Sequence, residues 1–142
     1  MTTALYTAEA HVTGGRNGHG RTSDGRLDLD LRQPKELGGD GEGANPEQLF
    51  AIGYAACFGT TLGLIGQRAE LEANDARIDS AVSLVPIDGG RFKLGVELRI
   101  TLPSVTEEQA IELVETAHQV CPYSNATRDN IDVALVVNGT LL

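Results

Sequence analysis

Tryptophan is absent, and aromatic residues make up only 4% of the chain. That leaves little from which to build a base-stacking platform for single-stranded nucleic acid. Basic residues are also scarce: 11 Lys and Arg stand against 20 Asp and Glu, a formal net charge of -9 with a pI near 4.6. Without a basic stripe to displace phosphate counterions, a nucleic-acid partner is not expected. An anionic membrane surface is disfavoured for the same reason. The first residues carry neither a basic nor an apolar leader region, so the expected location is the cytoplasm. Cysteine is sparse as well, with two residues, Cys57 and Cys121. In a reducing compartment two cysteines do not suggest a permanent staple, and free thiols or a transient disulfide remain open.

At 142 residues with 41% hydrophobic content, the chain fits one domain with a core. Leu49 to Gly66 is 18 residues without a formal charge, a length at which a membrane span becomes a candidate. It even contains Gly59-xxx-Gly63, a small-residue spacing used by packed membrane helices. Yet Tyr54, Cys57, Thr60, Thr61 and four glycines dilute its apolar character, and no basic cluster flanks it. The preferred reading is a helix buried on most sides, with small residues where another backbone comes close.

Short strands are expected over 4–13 and 20–32, where Leu27, Leu29 and Leu31 alternate with charged residues after a turn at Ser23-Asp24-Gly25. Residues 33–44 read as a loop. Its glycines lack a Lys, and Asp40 and Glu42 would repel an anion, so a phosphate cradle is not favoured. Asn45-Pro46-Glu47 starts a helix: Asn45 can cap, Pro46 suits the first position, and Glu47 favours the positive end. That helix is expected to run to about Leu71. Residues 77–86 and 91–102 form a hairpin around Asp88-Gly89-Gly90. Thr106 and Gln109 make a capping box for a second helix ending near Cys121, with a stripe of Ile111, Val114 and Ala117 or His118. A last strand is expected over 131–137, followed by an Asn138-Gly139 turn. Strands, long helix, hairpin, helix and strand in this order define an α+β plan with an antiparallel sheet.

A thiol reacts as its thiolate, so its surroundings must favour the anion. Cys57 lies mid-helix among Ala55, Ala56 and Phe58, where burial works against the charge. Local sequence therefore reads it as a packed core residue, and reactivity would need a cation from elsewhere in the fold. Cys121, followed by Pro122, opens a short helix whose positive end favours an anion modestly. Arg16 follows Gly14-Gly15 at the end of the first strand. Glycines there could aim it inward, although spacing alone favours an exposed turn arginine. Glu47 lies ten residues before Cys57, about 15 Å along a straight helix. If the two share a site, the helix bends or a second chain supplies one of them. His118 and Cys121 could bind a metal on one turn, but no second Cys/His pair completes a tetrahedral site. His11 and His19 read as strand or loop residues, and no nucleophile elbow supports a Ser/His/Asp triad.

The runs Asn45-Pro46-Glu47-Gln48-Leu49-Phe50-Ala51, Gly53-Tyr54-Ala55-Ala56-Cys57-Phe58 and Val120-Cys121-Pro122-Tyr123-Ser124-Asn125-Ala126-Thr127-Arg128 closely resemble the organic hydroperoxide resistance proteins, part of the larger OsmC-like superfamily. Thr13-Gly14-Gly15-Arg16 and Pro34-Lys35-Glu36-Leu37-Gly38-Gly39 agree, so the resemblance spans nearly the whole chain, read as one domain over 1–142. It implies curved antiparallel sheets around two central helices and an intertwined homodimer with active sites at the subunit interface. It implies a thiol-dependent peroxidase: Cys57 as the attacking cysteine, Cys121 as the resolving one, Arg16 stabilising the thiolate and Glu47 holding Arg16. Leu49 and Phe50 would line the substrate pocket for an alkyl or fatty-acyl hydroperoxide. No metal or bound cofactor is implied. The reductant would be a dihydrolipoyl group on a lipoylated partner protein. Ile52, Gly59-Thr60-Thr61 and Asp129 depart from the pattern and bear on pocket shape. The alternative functions are a redox sensor or binding protein using the same disulfide as a switch, and a structural domain with two inert thiols.

Overall fold

The computed structural model describes residues 2–142. The chain divides into two compact units, one ending at Leu49 and the other spanning Phe50–Leu142. The long helix α1, Pro46–Arg68, runs across that boundary.

In the first unit, β1 (Ala10–Thr13), β2 (His19–Thr22) and β3 (Asp28–Asp30) form an antiparallel sheet in that order. The expected strand over 4–13 is reduced to its last four residues, and Leu5 and Tyr6 before it are exposed. The segment 20–32 holds two strands with the expected Ser23-Asp24-Gly25 turn between them. Asp24 fixes that turn: its carboxylate accepts from the Arg26 amide at 2.9 Å and the Thr22 hydroxyl at 2.7 Å. A side chain that mimics a turn in this way competes with strand pairing. Residues 33–44 form the expected loop, with a short 3-10 turn at Lys35–Leu37.

In the second unit, β4 (Arg77–Ile87) and β5 (Arg91–Thr101) form the expected hairpin, with Leu84 opposite Leu94. Gly89 and Gly90 at the tip take positive φ angles of 76° and 70°, which a side chain would disfavour. Then come α2 (Glu107–Val120), α3 (Pro122–Thr127), β6 (Val133–Val137) and β7 (Thr140–Leu141). The sheet order is β4-β5-β6-β7. One pair departs from the antiparallel expectation: β5 and β6 run parallel, with Leu98 opposite Leu135. The connection between them carries two helices, and a crossover of that length lets the chain return to the same end of the sheet.

The α1 helix stops at Arg68, short of Leu71. Glu70 takes a φ of 59°, the Leu71 amide bonds to the Gly66 carbonyl at 2.8 Å, and the Glu70 amide bonds to that of Gln67 at 3.2 Å. This is the Schellman closure, here without the glycine that usually announces it. The Thr106–Gln109 capping box of α2 forms as expected. Its buried stripe is Ala110, Leu113, Val114 and Ala117, whereas Ile111 and His118 are half-buried at its edge.

Tyr54, Phe58, Leu62 and Ile65 of α1 enter one core with Val96, Leu98 and Ile100 of β5 and with the α2 stripe. By length and composition α1 could cross a membrane, but its buried residues recur at the three-to-four spacing of a core helix. Its opposite face exposes Ile52 and Leu64.

Candidate active site

The structure assembles the four candidate catalytic residues as two pairs, one in each unit. In the first, Arg16 sits in a 3-10 turn, Gly15–Asn17, between β1 and β2. Gly14 adopts a φ of 75°, and a Cβ on Gly18 would lie 1.8 Å from the Thr13 carbonyl oxygen. The turn can therefore be this tight only with glycine at both ends. Arg16 donates to Glu47 through both terminal nitrogens, at 2.9 and 2.7 Å. A planar fork on a carboxylate fixes direction as well as charge.

Glu47 is placed by the start of α1. The Gln48 amide donates to the Asn45 side chain at 2.9 Å, and the Asn45 amide donates back to the Gln48 side chain at 3.2 Å. This reciprocal cap fixes the first turn, with Glu47 on it. The hydrogen bond from Arg16 holds the Glu47 carboxyl below the usual carboxylate range, against the opposing effect of burial. The same bond raises Arg16 above its ordinary value, so its charge persists. Because the folded-state pKa of Glu47 is depressed, the pair's contribution is present above the ordinary carboxylate range and lost as pH falls through the lowered value. The Arg16 side chain is 34% exposed, so that contribution is screened and small.

In the second unit, Cys57 on α1 and Cys121 between α2 and α3 lie with their sulfurs 3.6 Å apart, and both are free thiols. A disulfide requires about 2.05 Å, so a short approach closes the bond. Cys121 is fully buried and Cys57 half-buried. Burial pushes the Cys57 thiol up, the Tyr123 amide pulls it down, and the neighbouring Cys121 raises it further. The expectation that Cys57 cannot activate itself therefore stands on its local surroundings.

The start of α3 acts in a way the sequence did not indicate. Cys121 occupies its N-cap but makes no capping bond through its side chain. Pro122 has no amide hydrogen, so the first free amide is that of Tyr123, and it lowers the Cys57 thiol.

Phe50, Tyr54 and Tyr123 form an aromatic group beside the thiols, with ring centroids 5.5–6.2 Å apart. A Cβ on Gly53 would lie 2.4 Å from the Tyr123 hydroxyl, so only glycine lets that ring rest on α1. Phe50 also lines an apolar cleft of about 340 Å³ with Leu84, Phe92, Leu94 and Ile131. Leu49, the other expected pocket residue, belongs to the first unit and is more than one-third exposed. His118, considered above as a metal ligand, has Nδ1 bonded to the Ser124 hydroxyl at 2.8 Å. Tyr54 and Ser124 carry no chemical signal in the sequence, and His118 stands out there only as a candidate metal ligand. A buried hydrogen-bonding role leaves no spacing signature, although Tyr54 and Ser124 lie inside the two cysteine runs.

Residues 39–136 match the family of OsmC-like proteins. An organic hydroperoxide resistance protein of Xanthomonas axonopodis pv. citri is 51% identical over 135 residues, covering 94% of each chain. The organic hydroperoxide resistance protein OhrB of Bacillus subtilis is 47% identical, over 93% of this chain and 97% of that one. The crystal structure of an organic hydroperoxide resistance protein from Legionella pneumophila superposes with a TM-score of 0.91 at 49% identity, covering 95% of this chain and 98% of that one. The chain belongs to the OsmC-like family. Within that family its place is among the organic hydroperoxide resistance proteins.

Proposed function

We propose that the chain is a thiol-dependent peroxidase that reduces organic hydroperoxides to alcohols. The observation that carries this reading is the Cys57–Cys121 pair, two free thiols 3.6 Å apart. The names of the relatives, which concern resistance to organic hydroperoxides, support the substrate class.

The Cys57 thiolate attacks one peroxide oxygen. The O–O bond breaks, the other oxygen leaves as the alcohol after taking a proton, and Cys57 becomes a sulfenic acid. Cys121 then attacks the Cys57 sulfur, water departs, and a disulfide forms. A dithiol restores both thiols by exchange. The proposed source is a dihydrolipoyl group on a lipoylated partner protein in the cytoplasm, with no cofactor bound to the chain itself. The apolar surface around Phe50 suits the organic part of the substrate.

Arg16, held by Glu47, is proposed as the cation that Cys57 requires. It would stabilise the thiolate and the charge developing on the leaving oxygen. Replacing Arg16 with Met should lower the peroxidase rate by on the order of 10²–10³-fold, the scale for losing a preorganised donor. Arg16→Lys should recover only part of the rate, because it returns the charge without the fork. In Arg16→Met the Glu47 carboxyl should titrate higher than in the parent, measured by carbon NMR. Wild-type peroxidase rates in Arg16→Met would remove Arg16 from the mechanism.

A homodimer is proposed as the working form. Ile52, Ala56 and Thr60 repeat every four residues on the open face of α1 and line a groove there with Ala55, Gly59 and Ile78. A charge there, Ile52→Glu, should halve the mass seen by sedimentation at micromolar concentration. A parent chain that sediments as a monomer would contradict the dimer.

A further inference from the structure

The buried core around the thiols contains one polar chain that the peroxidase chemistry does not use. The Tyr54 hydroxyl lies 2.7 Å from the Ser124 hydroxyl, and that hydroxyl lies 2.8 Å from His118 Nδ1. The Tyr54 hydroxyl also lies 3.4 Å from that of Thr127, which in turn donates to the Ser124 carbonyl. Tyr54 and Ser124 are both fully buried. Around them the core is apolar, including Phe58, Leu62, Val114 and Ala117.

The placement of this chain in sequence is the informative feature. Tyr54 stands three residues before Cys57 on α1, and Ser124 stands three residues after Cys121 on α3. Tyr54 and Ser124 are therefore each about one helical turn along the backbone from one of the cysteines. His118 anchors the same serine from α2, and Arg128 donates to the His118 carbonyl and to Asn125. The hydroxyl chain thus links three helices just behind the thiol pair. The α3 helix has six residues, too few to hold its place by its own hydrogen bonds. The hydroxyl chain adds a polar anchor to the packing of the Tyr123 ring on α1, and loosening it would let Cys121 move relative to Cys57.

We propose that Tyr54, Ser124 and His118 are positioning residues that hold α3 against α1 and so set the effective concentration of Cys121 at Cys57. The proposal rests on the redox reading of the cysteine pair and adds the residues that govern how readily that pair closes. In the dithiol form the hydroxyl chain keeps the sulfurs together. In the disulfide form the covalent bond does so regardless. Loosening the chain therefore favours the dithiol selectively. Burial, with Arg128 nearby, holds His118 below its ordinary range. A neutral ring can accept the Ser124 proton at Nδ1, leaving the serine oxygen free to accept from Tyr54.

The test is the equilibrium between this dithiol and glutathione disulfide, with no peroxide present. Two thiols of the chain give up two electrons and two protons, and one glutathione disulfide becomes two glutathiones. In Tyr54→Phe and in Ser124→Ala the equilibrium constant for closing the Cys57–Cys121 bond should fall about tenfold, which is about 30 mV toward the oxidising side. The double variant should fall little further, because both substitutions break one interaction. Val137→Ala serves as the control: it removes buried volume from the same core, and should lower the melting temperature while leaving the potential unchanged. The proposal is overturned if both hydroxyl variants melt lower but keep the parent potential, or if Val137→Ala shifts the potential equally. Because no peroxide enters the measurement, a failure of the peroxidase reading would leave this result independent. Such a failure would show as thiols that close with glutathione yet ignore hydroperoxide.

Discussion

Cys57→Ser should consume an organic hydroperoxide no faster than solution without protein. The loss should be on the order of 10³-fold or more, because a serine hydroxyl is a far weaker nucleophile than a thiolate and nothing here is arranged to deprotonate it. No second thiol can replace it. Cys121 is fully buried, so a peroxide has no direct approach to its sulfur. The check is steady-state loss of tert-butyl hydroperoxide with a lipoyl dithiol as electron source. Circular dichroism would verify the fold of the variant. Cys57 is half-buried and packs against the edge of the core, so a one-atom replacement should leave the core intact. Retained turnover in Cys57→Ser would place the chemistry elsewhere.

Cys121→Ser should fail differently. The first turnover should proceed, because Cys57 still attacks the peroxide and gains its oxygen. The next step should then stall. Cys121 stands 3.6 Å from Cys57, and a positioned intramolecular partner outcompetes a thiol arriving from solution. Sustained turnover should drop by on the order of 10²-fold at low dithiol concentration. The unresolved sulfenic acid is then open to further peroxide, and Cys57 should climb to sulfinic and sulfonic acid. Mass spectrometry should show two or three added oxygens on the Cys57 peptide of Cys121→Ser, and none on that of the parent. Equal turnover in parent and variant, with no over-oxidation, would mean that Cys121 does not resolve the sulfenic acid. A lipoyl dithiol should also outpace glutathione in the parent. Equal rates would argue against the lipoylated partner.

Much of the frame could be read from the sequence because local chemistry determined it. Asn45-Pro46 and Thr106–Gln109 start their helices as their capping residues require. Alternation of Phe92, Leu94, Val96, Leu98 and Ile100 gives β5, and Gly89-Gly90 give its turn. The misses have physical causes. Glu70 ends α1 in a left-handed conformation with no glycine to signal it. The parallel β5–β6 pair depends on the route of α2 and α3, which no local pattern records.

The site was legible in the same uneven way. Gly14-Gly15 before Arg16 permitted a directed arginine while their spacing favoured an exposed one, and Arg16 meets Glu47 through both nitrogens. The need of Cys57 for outside help was readable from its apolar helix, and burial does push its thiol up. What could not be read was the effect of the α3 start on Cys57. Cys121 holds the N-cap, Pro122 has no amide hydrogen, and the first free amide, that of Tyr123, lowers the Cys57 thiol. The hydroxyl chain through Tyr54, Ser124 and His118 was equally invisible, since its partners lie up to 70 residues apart.

The most direct measurement treats the reduced parent chain with one equivalent of an organic hydroperoxide and maps its cysteines by mass spectrometry without reductant. The mechanism requires one equivalent of alcohol released, the loss of two hydrogens per chain, and a single peptide pair joined through Cys57 and Cys121. Intact hydroperoxide beside two unmodified thiols would contradict it.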